Sequence, residues 1–327
     1  MNEPHAKLPT KDLPLRRTCA ASQVHQLLLA QSEHYAQERQ RIEAGYRQNV
    51  MLARVGQRDV ISIPVVVHVL WNKPEQNISD EQIASQMIVL NQDFRKQNSD
   101  ISQVPPIWED TAEDADIEFY LATVDPEGLP TTGITRTQTS KVEFSAFEDD
   151  VKASATGGTD AWPSDQYLNV WVCALSYGIL GYAQFPGGPA HTDGVVCTYR
   201  AFGTLGTAEA PFNLGRTLTH EVGHWLDLRH IWGDDGAEPG TECIGTDHVD
   251  DTPNQASPNF GTPSFPQISC NNGPDGDMFM NYMDYVNDSA MVMFTEEQVE
   301  RMHACLQGPR SSFLSSPNSP EPKQLLL

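Results

Sequence analysis

Residues 220–224 read His-Glu-Val-Gly-His, and a further histidine, His230, follows shortly after. On a helix, residues four apart stand one above the other on one face, so the imidazoles of His220 and His224 can converge on one ion. Zinc takes imidazole nitrogens at about 2.0–2.1 Å, and a catalytic zinc keeps three protein ligands and one open position for water. Glu221, next to the first of the pair, can face that water and act as general base. Leu218, Val222, Trp225 and Leu226 recur at helical spacing, which predicts a helix with an apolar stripe under these groups. A lone histidine is ordinarily a solvated or hydrogen-bonded side chain. Three at ligand spacing around a glutamate point to a zinc centre.

The third ligand could come from a glutamate on a separate downstream helix or from His230. Glu238 and Glu242 lie in Gly-Ala-Glu-Pro-Gly-Thr-Glu, too rich in breakers to be that helix. His230 serves if the helix ends near Leu226 and the chain turns back sharply. The pattern resembles H-E-x-x-H-x-x-G-x-x-H, the signature of metzincin metallopeptidases, with Asp227 in place of the glycine. That glycine supplies a left-handed backbone; aspartate tolerates it at a cost of about 1 kcal/mol.

Downstream, Met278-Phe279-Met280-Asn281-Tyr282-Met283-Asp284-Tyr285 would by itself read as core filler. After such a helix it reads as a methionine turn, with Met283 beneath the metal. Thr219 to His230, Asp251-Thr252-Pro253-Asn254-Gln255 and Asn281 to Tyr285 together resemble the pappalysin (cytophagalysin) family of metzincins, over most of residues 60–308. The resemblance implies a zinc endopeptidase of mixed α and β class. A twisted mixed β-sheet with active-site and backing helices would stand above an irregular C-terminal subdomain, with a substrate cleft between. It implies Tyr285 as a stabiliser of the oxyanion, and Ala183 and Gln184 on a rim strand that pairs with extended peptide substrates. It also implies a Cys243–Cys270 disulfide and an N-terminal zymogen segment whose Cys19 takes the fourth zinc position. A thiolate there would exclude the catalytic water.

Arg16 and Arg17 could dock that segment in an acidic cleft. If Arg or Lys is preferred on the leaving side, with Asp288 at the base of the pocket, Gln57–Arg58 is the expected self-cleavage bond. The organisation expected is a helical propeptide with its cysteine switch over 1–57 and a catalytic domain over 58–308. That domain divides into an upper part, 58–230, and a lower part, 231–308, before a disordered Ser/Pro-rich tail, 309–327. Asp247, Asp250, Asp251 and Thr252 form an oxygen-rich loop suited to a structural calcium ion, where the family resemblance places one.

Other elements must position these groups. Residues 18–54 read as a helical unit, and Val60 to Leu70 as a buried strand with His68 as a core histidine. Ser79 to Gln97 reads as a helix with Asp80 and Glu81 in its first turn. Ile117 to Ala122, Leu168 to Cys173 and Leu180 to Pro186 read as strands. The net charge of −23, from 21 basic and 44 acidic residues, argues against nucleic acid or anionic membranes as partners. No apolar run of about 18 residues predicts a membrane span. Residues 1–7 lack the apolar core of a secretory signal, yet the resemblance suggests an extracellular monomer. Cys173 and Cys305 read as buried free thiols, and Cys197 is left open. The rival readings are a silent zinc-binding module and a zymogen that needs another protease.

Overall fold

The valine and isoleucine run after residue 60 becomes β1 (Ile61–Trp71), buried from Ile63 to Leu70 as a strand covered on both faces must be. The computed structural model describes residues 14, 16–54, 59–234 and 242–315. Along one edge of β1 run β2 (Ile117–Leu121) and then β3 (Ile134–Gln138), both parallel to it. On the other edge lie β4 (Leu168–Cys173), β6 (Val195–Thr198) and β5 (Gly181–Ala183); only β5 is antiparallel to its neighbour. The sheet is therefore mixed, with β5 at its rim.

Alternation along β1 divides the core. Ile63, Val65, Val67 and Val69 face α3 (Asp80–Phe94) and α4 (Arg216–Trp225). Leu70 joins Trp171, Tyr182 and Val196 on the opposite face, where Val24 of α1 (Ala21–Gln31) also packs. His68 is fully buried and bonded through Nδ1 to Thr135 (2.7 Å) and Nε2 to Asn169 (3.1 Å), with burial holding its pKa down at about 4. It is a satisfied core histidine. Ser79 caps α3 by accepting from the Gln82 amide, so that helix starts where its sequence indicates and stops at Phe94, before Gln97.

The N-terminal helical unit is two helices. Ser32, extended at φ −134°, separates α1 from α2 (Glu33–Arg54), and its hydroxyl accepts from the Tyr35 amide (3.2 Å). Helix α2 packs on α5 (Glu296–Gln307), which begins in a Thr295/Gln298 capping box. Among the described residues between 231 and 295 regular structure is sparse: β7 (Phe260–Gly261) pairs with β8 (Tyr285–Val286), and a disulfide joins Cys243 to Cys270. Cys173, Cys197 and Cys305 are buried free thiols.

The C-terminal tail departs from expectation. Residues 309–315 are not a featureless extension: Phe313 packs edge-on against Trp225 (centroids 5.4 Å apart) and Arg310 donates to the Trp225 carbonyl (2.8 Å) and to Asp193. A buried aromatic and a paired arginine outweigh the Ser/Pro composition there. Residues 316–327 and the Gln57–Arg58 bond lie outside the described residues. Among the described residues no helix is long and apolar enough to cross a membrane.

Candidate active site

Helix α4 ends as its sequence demands. The Leu228 amide donates to the Gly223 carbonyl (2.9 Å) and the Asp227 amide to the His224 carbonyl (3.0 Å), a Schellman turn with Asp227 left-handed at φ 75°. The turn sends the chain back, and the three Nε2 atoms of His220, His224 and His230 meet 3.0, 3.2 and 3.3 Å apart. Ligands at about 2.0–2.1 Å around a tetrahedral ion stand about 3.3 Å from one another.

The tautomers fit a cation. His220 Nδ1 donates to the Tyr282 carbonyl (2.7 Å), His224 Nδ1 to the Leu228 carbonyl (2.8 Å) and His230 Nδ1 to Asp234 (2.6 Å). Carbonyls and carboxylates only accept, so each Nδ1 keeps its proton and each Nε2 turns a bare lone pair inward. Three converging lone pairs repel unless a cation lies among them. Burial, then the neighbouring imidazoles, hold His220 and His224 well below the ordinary imidazole range, which keeps them neutral as ligands must be.

Cys19 completes the group: its Sγ and the three imidazole nitrogens all lie within 4.8 Å of one another. Its thiol donates to Glu221 Oε2 at 3.3 Å. Burial pushes Cys19 up and raises Glu221 to about 8, against the lowering effects of the Cys19 bond and Arg17. A cation bound by these ligands would reverse this for the thiol, since a coordinated thiol is deprotonated. Glu221 is 1% exposed and lies so close under the rim that a Cβ on Gly181 would stand 2.8 Å from its Oε1. Beneath the helix, Met283 is fully buried, and a Cβ on Gly223 would meet its sulfur at 2.5 Å. Glycine is required at both approaches.

The N-terminal segment lies across this centre. The Leu180 amide donates to Thr18 O (2.9 Å) and the Ala20 amide to Gly181 O (3.0 Å), with Cys19 bridged parallel to Gly181. Tyr285 Oη donates to the Cys19 carbonyl (3.2 Å). Arg17, 2% exposed, reaches Asp288 (2.5 Å), Thr217 (2.9 Å) and the Val286 carbonyl (3.2 Å), over the Phe212 ring. Arg16 stacks over Phe260 instead. Asp288, fully buried, also accepts from the Leu214 amide (2.8 Å), which helps fix its carboxylate against Arg17.

Along β5, Gly181 pairs with Cys197 and Ala183 with Val195 of β6, and the Gln184 amide donates to the Gly194 carbonyl (3.1 Å); the segment's backbone bonds go to Leu180 and Gly181. In the oxygen-rich loop, Asp247 accepts from Thr252 (2.7 Å) and Asp251 from Thr295 (2.7 Å) and the Glu297 amide (2.8 Å), while Asp250 is exposed. Asp234 and Arg301 were not legible as site residues: a Gly-Asp-Asp run reads as solvated loop, and Arg301 lies far along the chain.

A mixed sheet, a buried histidine helix, a tight turn to a third histidine and a methionine beneath them define a metzincin-type zinc metallopeptidase. The family profile described as pregnancy-associated plasma protein-A, Peptidase M43, matches residues 148–307. An extracellular metalloprotease of Podospora anserina is 31% identical, covering 88% of this chain and 87% of that protein. A promirolysin mutant of Tannerella forsythia is 48% identical with a TM-score of 0.82, covering 91% of this chain and 97% of that one. Mature mirolysin of the same organism, in complex with a cleaved peptide, is 50% identical with a TM-score of 0.75, covering 81% and 100% of the two chains. The chain belongs to the pappalysin family and is a zinc metalloprotease.

Proposed function

We propose that this chain is a secreted endopeptidase kept latent by its own residues 1–57, which plug the cleft of a catalytic domain over 58–308. One observation carries the reading: Cys19 stands in the ligand group of His220, His224 and His230 while Arg17 is ion-paired with buried Asp288 beside it. The promirolysin likeness supports the zymogen, and the relatives named extracellular support secretion.

His220, His224 and His230 would hold a zinc ion, which when bound would supply a Lewis acid for a scissile carbonyl and a water of pKa about 7. Glu221 would take a proton from that water and hand it to the leaving amine. Tyr285 donates to the Cys19 carbonyl here, and in a substrate complex it would donate to the oxygen of the attacked carbonyl. Leu180 and Gly181 would hold an extended peptide by backbone bonds, as they hold the segment.

Arg17 marks the preferred primed-side residue as arginine, with lysine next, since only a planar fork reaches Asp288, Thr217 and Val286 together. The Gln57–Arg58 bond then offers arginine on the primed side and is the self-cleavage bond. Asp288→Asn should lower kcat/KM for arginyl substrates by about 30- to 5,000-fold, the equivalent of about 2–5 kcal/mol, with smaller losses elsewhere. Equal losses on substrates lacking arginine would sink the assignment.

Asp247, Asp251 and Thr252, with exposed Asp250 at the margin, would hold a structural calcium. Burial raises Asp247 to about 7 and Asp251 to about 6, and among the described residues neither has an ion pair. A hard divalent cation would relieve those carboxylates. Calcium at a hundred times its dissociation constant would add about 2.7 kcal/mol, so the melting temperature should rise by several degrees and fall again with a calcium-selective chelator. An unchanged melting curve for both Asp247→Asn and the parent chain on calcium addition would refute the site.

A further inference from the structure

The turn from His224 to His230 holds an aspartate where glycine would be unstrained. Asp227 is left-handed at φ 75° and only 3% exposed, so its backbone is strained and its carboxylate is out of water. The same turn orients two of the three histidines. It redirects the chain to His230, and its next residue, Leu228, offers the carbonyl that accepts from His224 Nδ1 at 2.8 Å.

Arg301 of α5 grips this residue twice. Its Nε donates to the Asp227 carbonyl at 2.8 Å and a terminal nitrogen donates to Oδ2 at 2.9 Å. Arg301 is itself 1% exposed, lies over the Tyr46 ring and is also paired with Glu43. Arg39 of α2 stands 2.6 Å from the other carboxylate oxygen, in an ion pair too poorly aligned to be a hydrogen bond. Half-buried Arg229 adds a third guanidinium nearby, its pKa lowered by partial burial first and then by Arg301 and Arg39. The carboxylate of Asp227 therefore sits among three positive charges. Arg39 and Glu43 belong to the N-terminal helices, whereas Arg301 belongs to the catalytic domain.

We propose that Arg301 is a positioning residue for the metal centre: by holding the carbonyl and the carboxylate of Asp227 together, it fixes the left-handed turn that sets His224 and His230. Glycine at this position needs no brace, because it adopts the turn without a Cβ clash. Aspartate does, and the fork of an arginine supplies two bonds in one plane. The inference rests on the zinc reading of the three histidines and adds to it the residue that holds their turn.

The test is the rate of zinc transfer from the full-length, zinc-loaded chain to an excess of chelating dye, with melting temperature measured alongside. Four chains are compared: the parent, Arg301→Gln, Asp227→Gly and the double substitution. Outer-shell partners of metal-bound histidines are worth about 10- to 100-fold in metal affinity. Arg301→Gln should accordingly speed zinc loss by at least about tenfold in the parent background. In the Asp227→Gly background the same change should alter it by less than about threefold, since no carboxylate is stranded and no strain needs holding. Arg301→Lys keeps the charge and loses the fork, and it should also release zinc faster than the parent. This variant keeps the proposal testable if the glutamine variant fails to fold. Equal acceleration in both backgrounds, or a lower melting temperature with unchanged zinc release, would overturn the brace and leave Arg301 as ordinary packing. A parent chain that retained no zinc at all would overturn the zinc reading and the brace with it.

Discussion

Glu221→Ala should yield a chain that keeps its zinc and hydrolyses peptides at least about 10²- to 10⁴-fold more slowly, the usual worth of a positioned base. The three Nε2 atoms that would hold the ion take no support from Glu221; their outer partners are Tyr282, Leu228 and Asp234. Metal content is therefore expected to stay at one zinc per chain, while turnover is lost. The same variant separates self-cleavage from processing by another protease. Intact mass followed over time, with zinc and calcium present, should show the parent losing residues 1–57 and the variant remaining full length. If both stay whole, activity of a chain lacking residues 1–57 distinguishes a zymogen that needs an outside protease from a silent zinc module. Retention of activity within about tenfold would remove Glu221 from the mechanism.

Cys19→Ser should unlock the centre. A serine hydroxyl stays protonated near neutral pH and is a poor zinc ligand, so water can compete for the fourth position. The segment would remain docked through Arg17 on Asp288, the rim bonds to Leu180 and Gly181, and α2 on α5. The gain is therefore not full activity at once. Loss of one ligand worth about 1.4 kcal/mol would shorten the lag before self-cleavage by about tenfold. A second readout is independent of activity. Cobalt in place of zinc should show near-ultraviolet thiolate charge transfer in the full-length parent and none in the serine variant. Identical spectra and identical lags would mean that the plug acts by covering the cleft and that the thiol is incidental.

Much of the site could be read along the chain because it depends on spacings of four residues or fewer. His220, Glu221 and His224 are placed by helical pitch alone, and the end of α4 at its left-handed turn follows from the need to bring His230 back. The β-branched run of β1 and the Ser79 cap of α3 are local in the same sense. Composition misled where long-range packing overrode it, as at residues 309–315, which Trp225 and Asp193 hold in place.

The sequence by itself determined that a histidine-bearing helix, a tight turn and a methionine segment exist, since each is set by the backbone and its near neighbours. Only the tertiary structure decided that Arg17 meets Asp288 across 271 residues, that Arg301 meets Asp227 across 74, and that the Ala20 amide meets the Gly181 carbonyl. Such pairings leave no periodic trace in a sequence. They arise when separate elements pack on one sheet and each buried charge must find a partner to offset its lost hydration.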